Sequence, residues 1–396
     1  MHHRFGVQQR MPQTALYVFA VATAVISCGR DVVEPSAAAQ GSLPATATSL
    51  SANGISPIEF VTYDGSNQVT HPAAVVFDSA WHGHRYWLAL TPYPNSDSRF
   101  ENPSLYAGET GSDWAPPSGV TNPLARTGRG YLSDPELMYD PDGDALRLYF
   151  REVVTTSDKH HRTQHVADNV LLTSSNDGVH WSAAQVVATD RSHYVVSPSI
   201  ARTGAGDWRM WEVDAGTKGC VAQSTRVVAR QSTDGTSWSG ATAVQLAQPG
   251  YSAWHLDVQY LATRGEYWAL VAAFPHGQDC TNTSLFLATS RDGVTWTTYK
   301  APMLARGRVA QFATNVYRSS FRVDETSGAV TIWLTGAETV TPRSRKFDAV
   351  LRWSAGLMQT TTTELLARVT TAPNRALPAD SEPEIVHRLA QGNIVP

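Results

Sequence analysis

Five stretches of near-equal length, an aromatic second strand in each and a recurring Asp-Gly turn predict an all-β chain. The expected fold is a five-bladed β-propeller with four-stranded blades. Short apolar strands begin after His71-Pro72, Asp134-Pro135, Ser197-Pro198, His255-Leu256-Asp257 and Tyr317-Arg318. Positions 71, 134, 197, 257 and 318 step by 63, 63, 60 and 61 residues. Each opening is followed by a strand rich in Trp and Tyr, at 86–90, 146–150, 208–211, 267–271 and 330–334. A variable loop, a third strand, the turn and a fourth strand complete each repeat. A β-sandwich is the competing all-β arrangement, but it does not predict five equal periods.

The turn reads Ser175-Asn176-Asp177-Gly178-Val179-His180-Trp181, Ser232-Thr233-Asp234-Gly235-Thr236-Ser237-Trp238 and Ser290-Arg291-Asp292-Gly293-Val294-Thr295-Trp296. A worn copy is Gly108-Glu109-Thr110-Gly111-Ser112-Asp113-Trp114. Gly supplies positive φ, and the Asp and Ser oxygens satisfy turn amides. The pattern S-x-D-G-x-x-W resembles the Asp box of β-propellers.

Residues 1–27 read as a lipoprotein signal peptide. His2, His3, Arg4 and Arg10 form a basic start, and an uncharged run too short to span a bilayer follows. Val25-Ile26-Ser27-Cys28-Gly29 resembles a bacterial lipobox, which implies lipidation at Cys28 and anchoring at a membrane surface. Residues 28–55, rich in Ala, Ser, Thr and Pro, read as a flexible tether. Residues 56–370 read as the propeller and 371–396 as a C-terminal tail. A strand near 58–63 is expected to close the ring against the last blade. The expected location is the cell envelope, outer membrane or surface, with the chain acting as a monomer. A net charge of −4 excludes the basic profile of a nucleic-acid binder. Twelve Trp and 14 Tyr suit a sugar-stacking surface as well as blade cores.

In a propeller the first strand of each blade lines the axis, so its starts converge on one face. That places His71, Asp134, Ser197, Asp257 with His255, and Arg318 in one ring. The loops between second and third strands return to the same face and carry Tyr93, Asn95, Glu101, Arg151, His160, His161, His165, Glu212 and Arg343. Cys220 and Cys280 fall in the equivalent loops of blades three and four, so a disulfide between them is expected in an oxidising compartment.

The segments Thr91-Pro92-Tyr93-Pro94-Asn95, Glu101-Asn102-Pro103-Ser104, Val196-Ser197-Pro198-Ser199, Trp254-His255-Leu256-Asp257 and Tyr317-Arg318-Ser319-Ser320 resemble an uncharacterised branch near glycoside hydrolase family 43, in the five-bladed glycosidase superfamily. The resemblance implies an Asp base opening blade one, a pKa-tuning Asp opening blade two and a Glu acid opening blade three. This chain matches only the middle one, at Asp134, and offers His71 and Ser197 elsewhere.

Glycoside hydrolysis needs two carboxyls across the bond, one kept protonated. Asp134 is expected as base or tuner, Glu212 or Glu101 as acid, and Asp257 as a further carboxylate. His71, Tyr93, Asn95, Arg151, Ser197, Trp254, His255 and Arg318 are expected to hold substrate. No cofactor is required by this chemistry. A metal ion on the axis among His71, Asp134, His255 and Asp257 stays open, since imidazole with carboxylate suits a transition metal. The expected function is a surface-anchored glycoside hydrolase acting on a polysaccharide or oligosaccharide. A non-catalytic glycan-binding propeller is the alternative, and a protein-interaction scaffold the third reading. A sialidase would bring six blades and an Arg triad, which this sequence lacks.

Overall fold

The computed structural model describes residues 54–157, 163–341 and 349–371. The signal peptide, Cys28, most of the tether, nearly all of the tail, His160, His161 and Arg343 lie outside the described residues.

Strand β1 (Ile55–Ile58) precedes five antiparallel sheets. The first holds β2 (Val69–Trp81), β3 (His84–Pro92) and β4 (Ser104–Gly108). The second holds β5 (Gly130–Asp140), β6 (Ala145–Ser157), β7 (Thr163–Ser175) and β8 (Gln185–Asp190). The third holds β9 (Val195–Gly204), β10 (Asp207–Asp214), β11 (Arg226–Ser232) and β12 (Thr242–Ala243). The fourth holds β13 (Tyr251–Leu261), β14 (Glu266–Pro275), β15 (Ser284–Ser290) and β16 (Thr297–Thr298). The fifth holds β17 (Asn315–Val323), β18 (Ala329–Val340) and β19 (Val350–Thr361), with β1 as its edge.

The first sheet has three strands where four were expected. Its fourth place is a single Ala107–Ala115 bridge, because Pro116 and Pro117 follow and cannot donate to a ladder. The strand that joins the last sheet is Ile55–Ile58, pairing with 355–358 of β19, rather than 58–63. Helix α1 (Thr362–Thr371) was not anticipated. Its capping signal was legible, since Thr361 Oγ1 accepts from Glu364 N while Glu364 accepts from Thr361 N. Among the described residues no helix is long and apolar enough to cross a membrane.

The first strands touch in a closed cycle: β2 with β5, β5 with β9, β9 with β13, β13 with β17, and β17 with β2. The turns latch neighbouring sheets together. Tyr149 donates to Gly235 O at 2.8 Å, Trp211 to Gly293 O at 2.9 Å and Trp333 to Gly111 O at 2.8 Å. Each aromatic stands on the second strand of one sheet and meets the turn of the next. The last pair joins the fifth sheet to the first. Gly178 meets Trp87 by packing rather than by a hydrogen bond, so closely that a Cβ there would lie 2.2 Å from the indole. The turns themselves form as their residue types require. Asp177 Oδ1 accepts from the amides of Val179 and His180, and Ser175 Oγ accepts from Gly178 N.

Every first strand slips register at one equivalent point. The shifts fall between Thr70 and Ala73, Ser133 and Glu136, Ala253 and His255, and Val316 and Ser319, and where β10 crosses from Val196 to Ser199. His71, Asp134 and Ser197 sit in these bulges at φ 55, 50 and 60. A Pro follows each, which removes an amide that the bulge would leave without a partner. Left-handed backbone costs about 1–2 kcal/mol per non-Gly residue. In exchange, three side chains are re-aimed at the axis.

Candidate functional site

Hydrogen bonds between neighbouring first strands fix which positions are equivalent. Glu136 Oε1 accepts from Ile200 N, Ser199 Oγ from Val258 N, Asp257 Oδ2 from Phe321 N and Ser320 Oγ from Ala74 N. Positions 73, 136, 199, 257 and 320 are therefore one layer. Two residues back along each strand, on the same face, His71, Asp134, Ser197, His255 and Arg318 form another. This corrects the expected ring. His255, not Asp257, is the counterpart of Asp134, and Asp257 belongs with Glu136 one layer on. Glu136 was missed. The signal was in the sequence, since Asp134-x-Glu136 and His255-x-Asp257 share one spacing.

The first layer holds a compact polar cluster. Asp134 Oδ1 lies 3.4 Å from His71 Nε2, 3.2 Å from His255 Nδ1 and 3.2 Å from Arg318 Nη1. Asp134 Oδ2 accepts from Ser133 Oγ at 2.9 Å and lies 3.8 Å from Arg151 Nη1. His71, Asp134 and His255 each offer one ligand atom within 4.8 Å of the others. All three are buried, yet His71 Nε2 and both nitrogens of His255 have no hydrogen-bond partner. On the other side of its ring, His71 Nδ1 lies 3.1 Å from Thr91 Oγ1 and 3.5 Å from Glu101 Oε1. With its proton on Nδ1, His71 turns the Nε2 lone pair toward Asp134.

Burial pushes both histidines below the usual imidazole range, so they are neutral near pH 7. Burial alone would raise Asp134, but the charged Arg318 guanidinium beside it helps hold it well below the carboxylate range. Burial and then the Asp134 charge push Glu101 well up. Burial likewise raises Tyr317, keeping its hydroxyl protonated, and that hydroxyl accepts from Trp254 Nε1 at 3.0 Å.

The sequence marks Tyr317 only as a strand opening, yet its ring stands 4.4 Å from that of His255 and 5.6 Å from that of His71. It packs on Trp353, 4.8 Å away, and Tyr93 packs on the same indole at 5.0 Å. Asn95 is exposed and bonded to Gln68. Arg151 is held by Asp168 at 2.8 Å.

Three expected residues are engaged otherwise. Glu212 is paired with Arg230 Nε at 2.7 Å, because alternation along β10 turns it away from the axis. Ser197 faces the axis layer but bonds the backbone of Leu256 in both directions, which ties β9 to β13. Asp257 is outside the set that converges with His71, so it is no member of the candidate metal centre. Glu136 and Asp257 sit in the next layer, with Arg318 reaching Glu136 Oε2 at 3.1 Å. Burial, then the neighbouring Asp257, raises Glu136 to about 8, and burial raises Asp257 to about 6. The Cys220–Cys280 disulfide is present, with a Cα separation of 5.0 Å, and it joins loops of the third and fourth sheets.

The chain matches no family profile. It is 27% identical over 366 residues to the A type blood N-acetyl-α-D-galactosamine deacetylase of Flavonifractor plautii, covering 82% of this chain and 44% of that protein. The chain thus spans less than half the length of that relative. The crystal structure of an N-acetylgalactosamine deacetylase from F. plautii, in complex with blood group B trisaccharide, superposes with a TM-score of 0.69. It shares 24% identity and covers 81% of this chain and 98% of that one. The catalytic domain of a Coprinopsis cinerea GH62 α-L-arabinofuranosidase superposes with a TM-score of 0.54 at 13% identity, over 78% of this chain and 96% of that one. The fold is therefore one shared with carbohydrate-active proteins.

Proposed function

We propose that the five sheets are the blades of a propeller and that its axis holds a metal-assisted hydrolase site. Its substrate would be an N-acylated sugar. The observation that carries this reading is the convergence of two neutral imidazoles, each with a nitrogen that lacks a hydrogen-bond partner, and one carboxylate on a single buried point. A donor set of two His and one carboxylate, with positions left open, fits a divalent transition metal. When bound, such an ion supplies polarisation of a carbonyl and a water acidic enough to attack it near neutral pH. His71, Asp134 and His255 would hold it. Glu101 and Thr91 orient His71 from behind through Nδ1. Arg318 keeps Asp134 ionised. The protonated Tyr317 hydroxyl, beside both histidine rings, would donate to the developing oxyanion. The likeness to a deacetylase supports an amide as the bond cleaved.

The expected glycosidase reading is less well supported. Asp134 is clamped by two imidazoles and a guanidinium, which suits a ligand better than a base. Glu212 is spent on Arg230. The likeness to GH62 enzymes supports a glycan as substrate but not their chemistry. Export and lipid anchoring at Cys28 belong to the same proposal. Export is supported by the Cys220–Cys280 disulfide, which an oxidising compartment favours, while anchoring rests on the lipobox-like run at 25–29 alone.

The test is a paired assay on N-acetylated oligosaccharides, measuring free acetate and new reducing ends separately. Acetate release that is lost on chelation and in Asp134→Asn is expected. Reducing ends without acetate would overturn deacylation in favour of glycosidic cleavage.

A further inference from the structure

We propose that the opposite end of the axis is a second site, which binds a neutral pyranose. A cavity of about 420 Å³ opens beyond the Glu136 layer, away from His71. It lies within the roughly 300–1,000 Å³ typical of small-ligand pockets. Its lining comes from the first strands and from Pro141, the residue after β5. Its walls differ in chemistry from side to side. Val75, Phe77 and Met138, from the first two sheets, make an apolar side. The other three sheets set the oxygens of Thr203 and Gln259 and the Arg322 guanidinium among Ile200, Ala201 and Val258; the Thr203 hydroxyl donates to Asp207 and the Gln259 amide to Phe321 O. Glu136 and Asp257 form the floor.

A pyranose has the matching asymmetry, with an apolar C–H face and an edge of hydroxyls. Such surfaces are bound by an apolar or aromatic platform facing a few fixed polar groups. The floor argues for a neutral ligand. Both carboxyls already accept from the backbone, and Glu136 also accepts from Arg318, so neither is a free counter-ion for an amine. Their oxygens, like those of Thr203 and Gln259, remain suited to hydroxyl donors. This inference rests on the cavity and is independent of the chemistry proposed at the other end.

The experiment is saturation-transfer NMR and titration with methyl β-D-galactopyranoside and methyl β-D-xylopyranoside. It compares the unaltered protein with His255→Ala, Ala201→Trp and Thr203→Trp, each shown to be folded by its melting transition. Ala201 and Thr203 lie at different depths, so one filled variant remains if the other fails to fold. Saturation of at least one sugar is expected, with affinity unchanged in His255→Ala and at least tenfold weaker when either Trp fills the cavity. The proposal is overturned if neither sugar binds, if both Trp variants bind unchanged, or if His255→Ala abolishes binding. Binding of glucosamine in preference to both neutral sugars would overturn it as well.

Discussion

Removing the Cys220–Cys280 bridge tests how the third and fourth sheets are held over the candidate site. The perturbation is the double variant Cys220→Ser, Cys280→Ser. The bridge spans 60 residues of sequence, and closing a loop of that length lowers unfolded-state entropy by about 4 kcal/mol at 25 °C. The Cα separation of 5.0 Å lies within the relaxed range, so no native strain offsets that gain. At an unfolding entropy of about 2.1 cal/mol/K per residue over Ile55 to Thr371, each kcal/mol is worth about 1.5 °C, so the melting temperature should fall by about 6 °C. Scanning calorimetry checks this, with the unaltered protein in reductant as control, which should melt where the double variant does. A fall of less than about 2 °C would refute the reasoning. So would a reduced protein that melts well apart from the variant.

Inductively coupled plasma analysis after dialysis against zinc or manganese should find one ion per chain, and none in Asp134→Asn or His255→Ala. Retention of the ion by either variant would place it elsewhere. Glu136 should make stability depend on pH. Its folded pKa, about 8, lies above the unfolded value, so its contribution is full at low pH and is lost as pH rises toward 8. Urea midpoints of the unaltered protein should therefore fall more between pH 5 and 8 than those of Glu136→Gln; parallel slopes would contradict this. Gly178→Ala should destabilise by about 3–5 kcal/mol, adding left-handed strain to overlap with Trp87. Gly250→Ala, at φ +80 in open space, should cost only about 1–2 kcal/mol. Equal losses in the two would remove the latch from the account.

The sequence carried the architecture further than it carried the chemistry. The period and the aromatic second strands were legible because every repeat must bury the same face. The fourth opening was read two residues late. His255-Leu256-Asp257 has no Pro to mark its bulge, and an Asp was the more familiar residue to align with Asp134. That slip hid Glu136 and split His255 from its true counterparts. Glu212 misled because position along a strand does not tell which face a side chain takes until the register is known. Tyr317 was obscured by its neighbour Arg318, although both reach the cluster. The pairing of His71 with Glu101 joins a first strand to a loop 30 positions away, a contact that no local pattern encodes.

The left-handed backbone at His71 and Asp134 sets backbone ease against function at the same two positions. Glycine at either would relax the chain while deleting a donor from the buried centre, and at Asp134 it would also strand the buried Arg318 guanidinium. Selection for a relaxed backbone alone would thus disarm the molecule without disturbing its outline. A lineage that keeps the shape but shows glycine there would have lost the proposed reaction and kept only the container.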